Sequence, residues 1–354
     1  MVRVLNDALS VVRKMELDRR KRQILYAVID LYTRTGEPVG SKALCEALDF
    51  PVSSATVRKE MSELSEMGYL EQPHTSAGRV PSARGYRLYL DSMLCCDPLT
   101  EKEKKKLNEY LPRIDEPDKM LEAAGRALVE LTDYAVLSTT PEAGQDTIRR
   151  VELIPLGRQT AMLVLQTSGG VVRTRLCRGP LYTPELCEAF SRFTREHIRA
   201  IPLSKFTPAD AQTLAVSSGG YVLLLAPLIT ALCELCGEAG KTQVRLEGET
   251  KLFGYKEFLG ERAEQIFHLL SDPKTLGELM RASSDAISIL LGSESRHSEL
   301  EGTSLLISTY DVGRSHGHFG IIGPIRMDYP KMIPAINYYT QKLGKLLSQI
   351  MEQE

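Results

Sequence analysis

Three stretches of helical periodicity follow one another in the first 70 residues with little chain between them, and that compression decides how this end of the molecule folds. In LDRRKRQILYAVIDLYTRTG the apolar residues Leu17, Ile24, Leu25, Val28, Leu31 and Tyr32 recur on one face, and Gly36 supplies a stop. After Pro38, SKALCEAL places Leu44, Cys45 and Leu48 on a shared face, with Ser41 as the expected N-cap. The turn DFP leads into VSSATVRKEM, where Ser53 or Ser54 caps a third helix, Val57, Met61 and Leu64 face inward, and Gly68 ends it. YLEQPHTSAGRVPS then reads as two short strands around a loop rich in Pro, Gly and Ser.

The third helix begins with residues too short to pack and continues with residues that pack well. Residues 53–59 carry two positive charges and no negative one, whereas Glu60, Glu63 and Glu66 follow in the next turns. A helix-turn-helix reads DNA by laying the front of its second helix in the major groove. Short side chains there let the backbone approach, hydroxyls bond to bases or phosphates, and basic groups add charge-assisted bonds. Ser53, Ser54, Thr56 and Arg58 are therefore the candidates to approach or read bases. Lys42, Lys59, Ser76 and Arg79 are the candidates for phosphate, with His74 and Thr75 at the tip of the hairpin and Gly78 expected to permit its tight reversal. The plainer alternative is that Ser53 is only a cap and residues 73–79 only a polar turn; the tandem arrangement behind a two-helix scaffold favours DNA.

The charge balance agrees without deciding the matter. Residues 1–90 hold 14 Lys and Arg against 11 Asp and Glu, and the remainder 30 against 35, so a slightly basic front sits on an acidic body. At 354 residues the chain is long enough for two or three domains. Its most apolar run, YVLLLAPLITALC, is 13 residues and contains Pro227, too short for a membrane span. No secretory signal is visible, and seven cysteines without framework spacing suit a reducing cytoplasm.

Beyond a charged linker containing Pro98, Pro112 and Pro117, Leu121 to Leu131 is helical and TIRRVELIPLGRQTAMLVLQTSGGVVRTRL alternates as three strands. The stretch from about 181 to 284 reads as largely helical, and strands return in AISILLG, TSLLISTY and HFGIIGP before a final helix with Ile333, Ile336, Tyr339, Leu343, Leu346 and Ile350. Strands, then helices, then strands suggest one sheet domain interrupted by an insertion. The fold class expected is α+β.

GEPVGSKALCEAL, SSATVRKEMSELSEMGYL and HTSAGRVPSARGYRLYLD resemble the N-terminal winged helix of the bacterial heat-inducible transcription repressor family HrcA, and RLEGETKLFGYKEF and GHFGIIGPIRMDYPKMI extend the resemblance. The chain departs from the family pattern at GSES, 292–295, and at Thr250. The resemblance implies a winged helix-turn-helix DNA-binding domain over 1–96, a GAF-like sheet domain over 97–180 and 285–354, and an inserted dimerisation domain over 181–284. It also implies a homodimer on an inverted-repeat operator of double-stranded DNA upstream of chaperone genes, kept active by the chaperonin and located in the cytoplasm with the nucleoid. The inserted helices, including the apolar run from Tyr221, are the candidates for the interface between copies.

Other signals point elsewhere only weakly. Cys233 and Cys236 form half a zinc motif on an apolar helix and read as buried thiols, and Cys95 and Cys96 read as ordinary cysteines. His316 and His318 lack an acidic partner nearby, and GHFGIIGP lacks the ending of a phosphate loop. No cofactor, metal or catalytic constellation is expected. Two other classes remain: a regulator whose GAF-like domain binds a small molecule, and an enzyme with an accessory winged helix.

Overall fold

The computed structural model describes residues 17–75, 77–93, 98–114, 116–141, 146–169, 171–179, 181–217, 222–281, 285–313 and 315–353. Helix α1 (Arg19–Thr35) starts at Asp18, whose carboxylate accepts the Lys21 amide at 2.8 Å, and ends at Gly36 in the left-handed region, φ 65°. Helix α2 (Ser41–Ala47) and helix α3 (Ser54–Glu66) follow. Strands β1 (Leu70–Glu71) and β2 (Val80–Pro81) form a minimal antiparallel hairpin, and α4 (Ala83–Met93) leaves it. Ile24, Leu25, Val28 and Ile29 of α1 close a core with Leu44, Val57, Met61 and Leu64. The cap of α2 differs from expectation: Gly40 takes that position without a side-chain bond, and Ser41 is the first helical residue.

The chain continues through α5 (Glu101–Glu109), α6 (Pro117–Thr132) and β3 (Ala135–Thr139). It then makes a meander of β4 (Ile148–Gly157), β5 (Thr160–Thr167) and β6 (Val172–Arg178), followed by helices α7 (Pro184–His197), α8 (Pro208–Ser217) and α9 (Val222–Ala239). After β7 (Val244–Glu247) come α10 (Glu261–Leu270), α11 (Pro273–Arg281), β8 (Ile287–Leu291), β9 (Thr303–Val312), β10 (Ser315–Pro324) and the long α12 (Tyr329–Gln353).

Strands β7, β3, β10, β9 and β8 form, in that order, one antiparallel sheet. Its inner strands β3, β10 and β9 are buried on both faces, and the edge strands β7 and β8 are half-buried. Leu306 and Tyr310 share a core with α6 and α12, whereas Leu305 and Ile307 share one with α10 and α11. The core on the α12 side runs without a break into the N-terminal unit, because Tyr86 and Tyr89 of α4 belong to the same cluster as Tyr329 and Ile333. Polar contacts reinforce that seam. The Arg87 guanidinium bonds bidentately to Glu294 and donates to the Ile289 carbonyl at 2.8 Å, while the Lys256 ammonium donates to Glu37 at 3.1 Å.

The insertion is differently bounded from the sequence expectation. Strands β4, β5 and β6, within 97–180, form a separate three-stranded sheet, and residues 244–281, within 181–284, belong with the five-stranded one. Alternation along β5 buries Ala161, Leu163 and Leu165 against Phe190, Ile229 and Leu232 of α7 and α9. Period-two alternation says that a strand has one covered face, but not which helices cover it. Here the covering helices come next in the chain, so strands and helices form one unit with its own core. The apolar run expected at an interface between copies is used internally: its Leu225, Leu228, Ile229 and Leu232 are buried there, as are Leu235 and Cys236 further along α9. Tyr221 lies outside the described residues.

Candidate nucleic-acid interface

The front of α3 is ordered by a small hydroxyl network. Ser53, in extended conformation, caps the helix: its Oγ accepts the Thr56 amide at 3.1 Å and lies 2.8 Å from the Thr56 hydroxyl. The Ser54 hydroxyl lies 3.0 Å from that of Ser41, tying the first turn of α3 to the first turn of α2. These residues have a structural reason to be short, separate from the one expected from sequence. Each hydroxyl satisfies a neighbour at a helix start, and each retains lone-pair or donor capacity toward solvent.

The basic and acidic halves of α3 separate cleanly. Arg58 and Lys59 are exposed on the helix, and the Lys59 side chain is 77% accessible with its ammonium 3.8 Å from Glu63. Glu60 and Glu63, by contrast, are turned onto α1, where the Lys21 ammonium meets them at 2.9 and 2.8 Å. The hydrogen bond from Lys21 holds the Glu63 carboxyl below the usual carboxylate range, and the bonds to Glu63 and Glu60 raise Lys21 above the usual lysine range. Two of the three carboxylates that would repel a phosphate backbone, Glu60 and Glu63, are thus held back against Lys21, Glu66 stays exposed further along the helix, and the positive charges remain outward.

The hairpin places His74 and Thr75 in solvent; Ser76 lies outside the described residues. The Gln72 amide donates to the Thr75 and Ala77 carbonyls at 3.0 and 3.1 Å, and the Ala77 amide donates to the His74 carbonyl at 2.9 Å, closing the tip. Arg79 is half-buried, and its backbone exchanges two 2.9 Å bonds with Val39, an isolated antiparallel bridge that ties the loop before α2 to the hairpin. Gly78 is required here, but not for the reversal expected from sequence: its φ is not positive, and a Cβ would come within 2.3 Å of the Val39 carbonyl oxygen. Lys42 is exposed on α2. Lys42, Ser53, Ser54, Arg58, Lys59, His74 and Thr75 are therefore accessible, whereas Thr56 and Arg79 are partly covered.

The remaining candidates are occupied. The Cys233 thiol faces the Phe206 carbonyl at 3.4 Å, and burial pushes the Cys236 thiol up to about 12. Cys95 and Cys96 lie outside the described residues. His318 is buried, with Nδ1 3.2 Å from the Thr309 hydroxyl. No group of three His, Cys, Asp or Glu suited to a metal occurs among the described residues, and no described helix is long and apolar enough to cross a membrane. Sequence reasoning missed the Arg87–Glu294 and Lys256–Glu37 contacts across the N-terminal seam, since partners some 200 positions apart leave no local pattern.

Comparison with known proteins gives this geometry its context. The family profile described as HrcA protein C terminal domain matches residues 118–333. Heat-inducible transcription repressor HrcA of Thermoanaerobacter sp. (strain X514) is 33% identical over 350 residues, covering 96% of this chain and 100% of that protein. The protein of the same name from Desulforudis audaxviator (strain MP104C) is 34% identical over 345 residues, covering 95% and 99%. A crystal structure described as that of a hypothetical protein aligns with TM-score 0.63 at 24% identity, covering 94% of this chain and 99% of that one, which shows a shared fold.

Proposed function

The chain belongs to the HrcA family of heat-inducible transcription repressors, and from that premise we propose that it is a homodimeric repressor whose α3 reads an inverted-repeat operator upstream of heat-shock chaperone genes. The N-terminal unit acts as a winged helix, with β1–β2 as the wing, and the five-stranded unit as a GAF-like platform. One observation carries the assignment: Arg58 and Lys59 face outward on α3 while Glu60 and Glu63 are drawn back onto Lys21. Arg58 approaches bases through the major groove; Lys59, Lys42, His74, Thr75, Ser76 and Arg79 serve the backbone and the adjacent groove. The hydroxyls of Ser53, Ser54 and Thr56 preorganise the helix start and meet the DNA with their remaining capacity.

One small reading head buries too little surface for tight specific binding, so two copies and a palindromic site belong together. The face of β4–β6 turned away from α7 and α9 supports such pairing. In it Ile154 pairs with Met162 and Met162 with Leu176, and Ile154, Val172 and Leu176 are all exposed. Release by heat and maintenance by the chaperonin rest on family membership. The cavity between Leu137, Leu279 and Leu305 in the sheet unit holds ≈ 10 Å³, no more than a single water, and leaves no room there for a small-molecule effector.

Fluorescence anisotropy with a labelled inverted-repeat duplex and a scrambled duplex, across several salt concentrations, tests this reading. The wild type should prefer the repeat, and Arg58→Ala should remove that preference. Equal, weak binding to both duplexes by wild type and variant would refute it.

A further inference from the structure

From the backbone and charge pattern of the inserted unit we infer a second anion site, distinct from the DNA-reading surface: a cleft built to hold a small, multiply charged phosphate compound such as an inorganic polyphosphate. The cleft encloses ≈ 340 Å³ and is lined by Arg149, Arg150, Arg195 and Arg199 with Gln166 and Thr194. Four guanidiniums around one concavity repel one another and concentrate positive potential between low-dielectric walls, the arrangement that attracts a compact polyanion.

Two backbone irregularities create it. Strand β4 bulges between Ile148 and Arg150, so the consecutive residues Arg149 and Arg150 are both exposed instead of alternating. Ala200, immediately after Arg199, has φ 70°, a strained conformation for a residue with a Cβ. The irregularities are bonded to each other: the Ala200 amide donates to the Ile148 carbonyl at 2.8 Å, and the Ile148 amide donates to the Ile201 carbonyl at 2.9 Å. The bulge and the left-handed turn thus bring the arginines of β4 to those at the end of α7.

The charge of Arg195 and Arg199 is not internally cancelled. The Arg150 Nε donates to Glu152 at 2.9 Å and Arg149 is itself engaged, whereas Arg195 and Arg199 have no carboxylate or hydrogen-bond partner among the described residues. Complementing the carboxyl end of α7 accounts for one basic group there, not for four arginines from two elements. No aromatic side chain lines the cleft among the described residues, so a nucleobase finds nothing to stack on there and recognition rests on phosphate.

Isothermal titration calorimetry of the full-length protein with inorganic tripolyphosphate tests the site, alongside ATP, sulfate and the Arg58→Ala/Lys59→Ala variant. Saturable binding of one tripolyphosphate per chain is expected, salt-dependent, no weaker than for ATP, and at least tenfold weaker in Arg195→Gln/Arg199→Gln. That variant changes two exposed side chains and should melt like the wild type. Binding retained in the Arg195→Gln/Arg199→Gln protein, binding lost in the Arg58→Ala/Lys59→Ala protein, or no saturable heat in the wild type would each overturn the inference. Operator binding read separately by anisotropy keeps this result independent of the DNA-reading proposal.

Discussion

The N-terminal unit and the inserted unit are both small assemblies of helices on a few strands, yet they are anchored in opposite ways. The core of the N-terminal unit continues into the five-stranded sheet through Tyr86 and Tyr89, and ion pairs from Arg87 and Lys256 cross the same seam. The inserted unit has a core of its own, from Ile148 to Ala239, that includes no residue of the five-stranded sheet. Under the proposed function, an N-terminal unit welded to the five-stranded sheet would keep the orientation that two half-sites demand, whereas a self-contained insertion is free to serve another purpose.

The largest expected effect tests that difference directly. Ile229, fully buried in the insertion, and Ile24, fully buried in the N-terminal unit, should each cost about 2–5 kcal/mol on replacement by alanine. In calorimetry Ile229→Ala should lower one transition and leave the other in place, whereas Ile24→Ala should move the transition shared with the sheet. A single transition that falls equally in both variants would mean that the cores are coupled and the contrast is false.

The two units also differ in how plainly their sequences speak. In the N-terminal unit the caps, stops and inward residues lie three or four positions apart, so Val57, Met61, Leu64 and the stop at Gly36 could be placed by counting. The part not legible there was what each small residue does: Ser41 is not a cap, and Gly78 is needed because Val39 passes close to it. In the insertion even the boundary was hidden, because the partners of β4–β6 are α7 and α9 and nothing in alternation names them. The cleft arginines were invisible as a group for the same reason. Residues 149–150 and 195–199 meet only through a bulge and a positive φ that no local propensity announces.

At the DNA surface the next effect in size separates reading from packing. Arg58→Ala should lower affinity for the specific duplex by about 1–3 kcal/mol with little change for a scrambled one, because Arg58 is exposed and supports no core residue. Anisotropy on both duplexes measures this, and an equal loss on the two would reassign Arg58 to phosphate.

A smaller effect asks whether Ser53 serves the helix or the DNA. Ser53→Ala removes the acceptor of the Thr56 amide and should destabilise the N-terminal unit by about 0.5–2 kcal/mol. Ser53→Asp keeps a good cap, so its melting should stay near that of the wild type, but it brings a negative charge to the face offered to phosphates. Operator affinity should therefore fall in Ser53→Asp despite intact stability. Unchanged affinity there would leave Ser53 a cap and nothing more.

The smallest effect concerns the charge held behind α3. Glu63 has its carboxyl lowered by Lys21, so its contribution is complete above the ordinary glutamate value of about 4.3 and disappears as pH falls through the lower value of the folded chain. Lys21 is raised, so its contribution is complete below the ordinary lysine value of about 10.4 and disappears only at still higher pH. Between about pH 5 and 10 the network is whole. Lys21→Met should therefore be less stable than wild type at neutral pH, and the two unfolding curves should draw together as the buffer is taken from pH 5 toward 3. Lys21→Met should also weaken operator binding at low salt, since Glu60 and Glu63 would lose the ammonium they share and keep only the longer contacts to Arg20 and Lys59. A stability gap that stays constant on acidification would show that Lys21 acts through its aliphatic stem, and the electrostatic division of α3 into an outward basic half and carboxylates held back against Lys21 would no longer explain which end faces DNA.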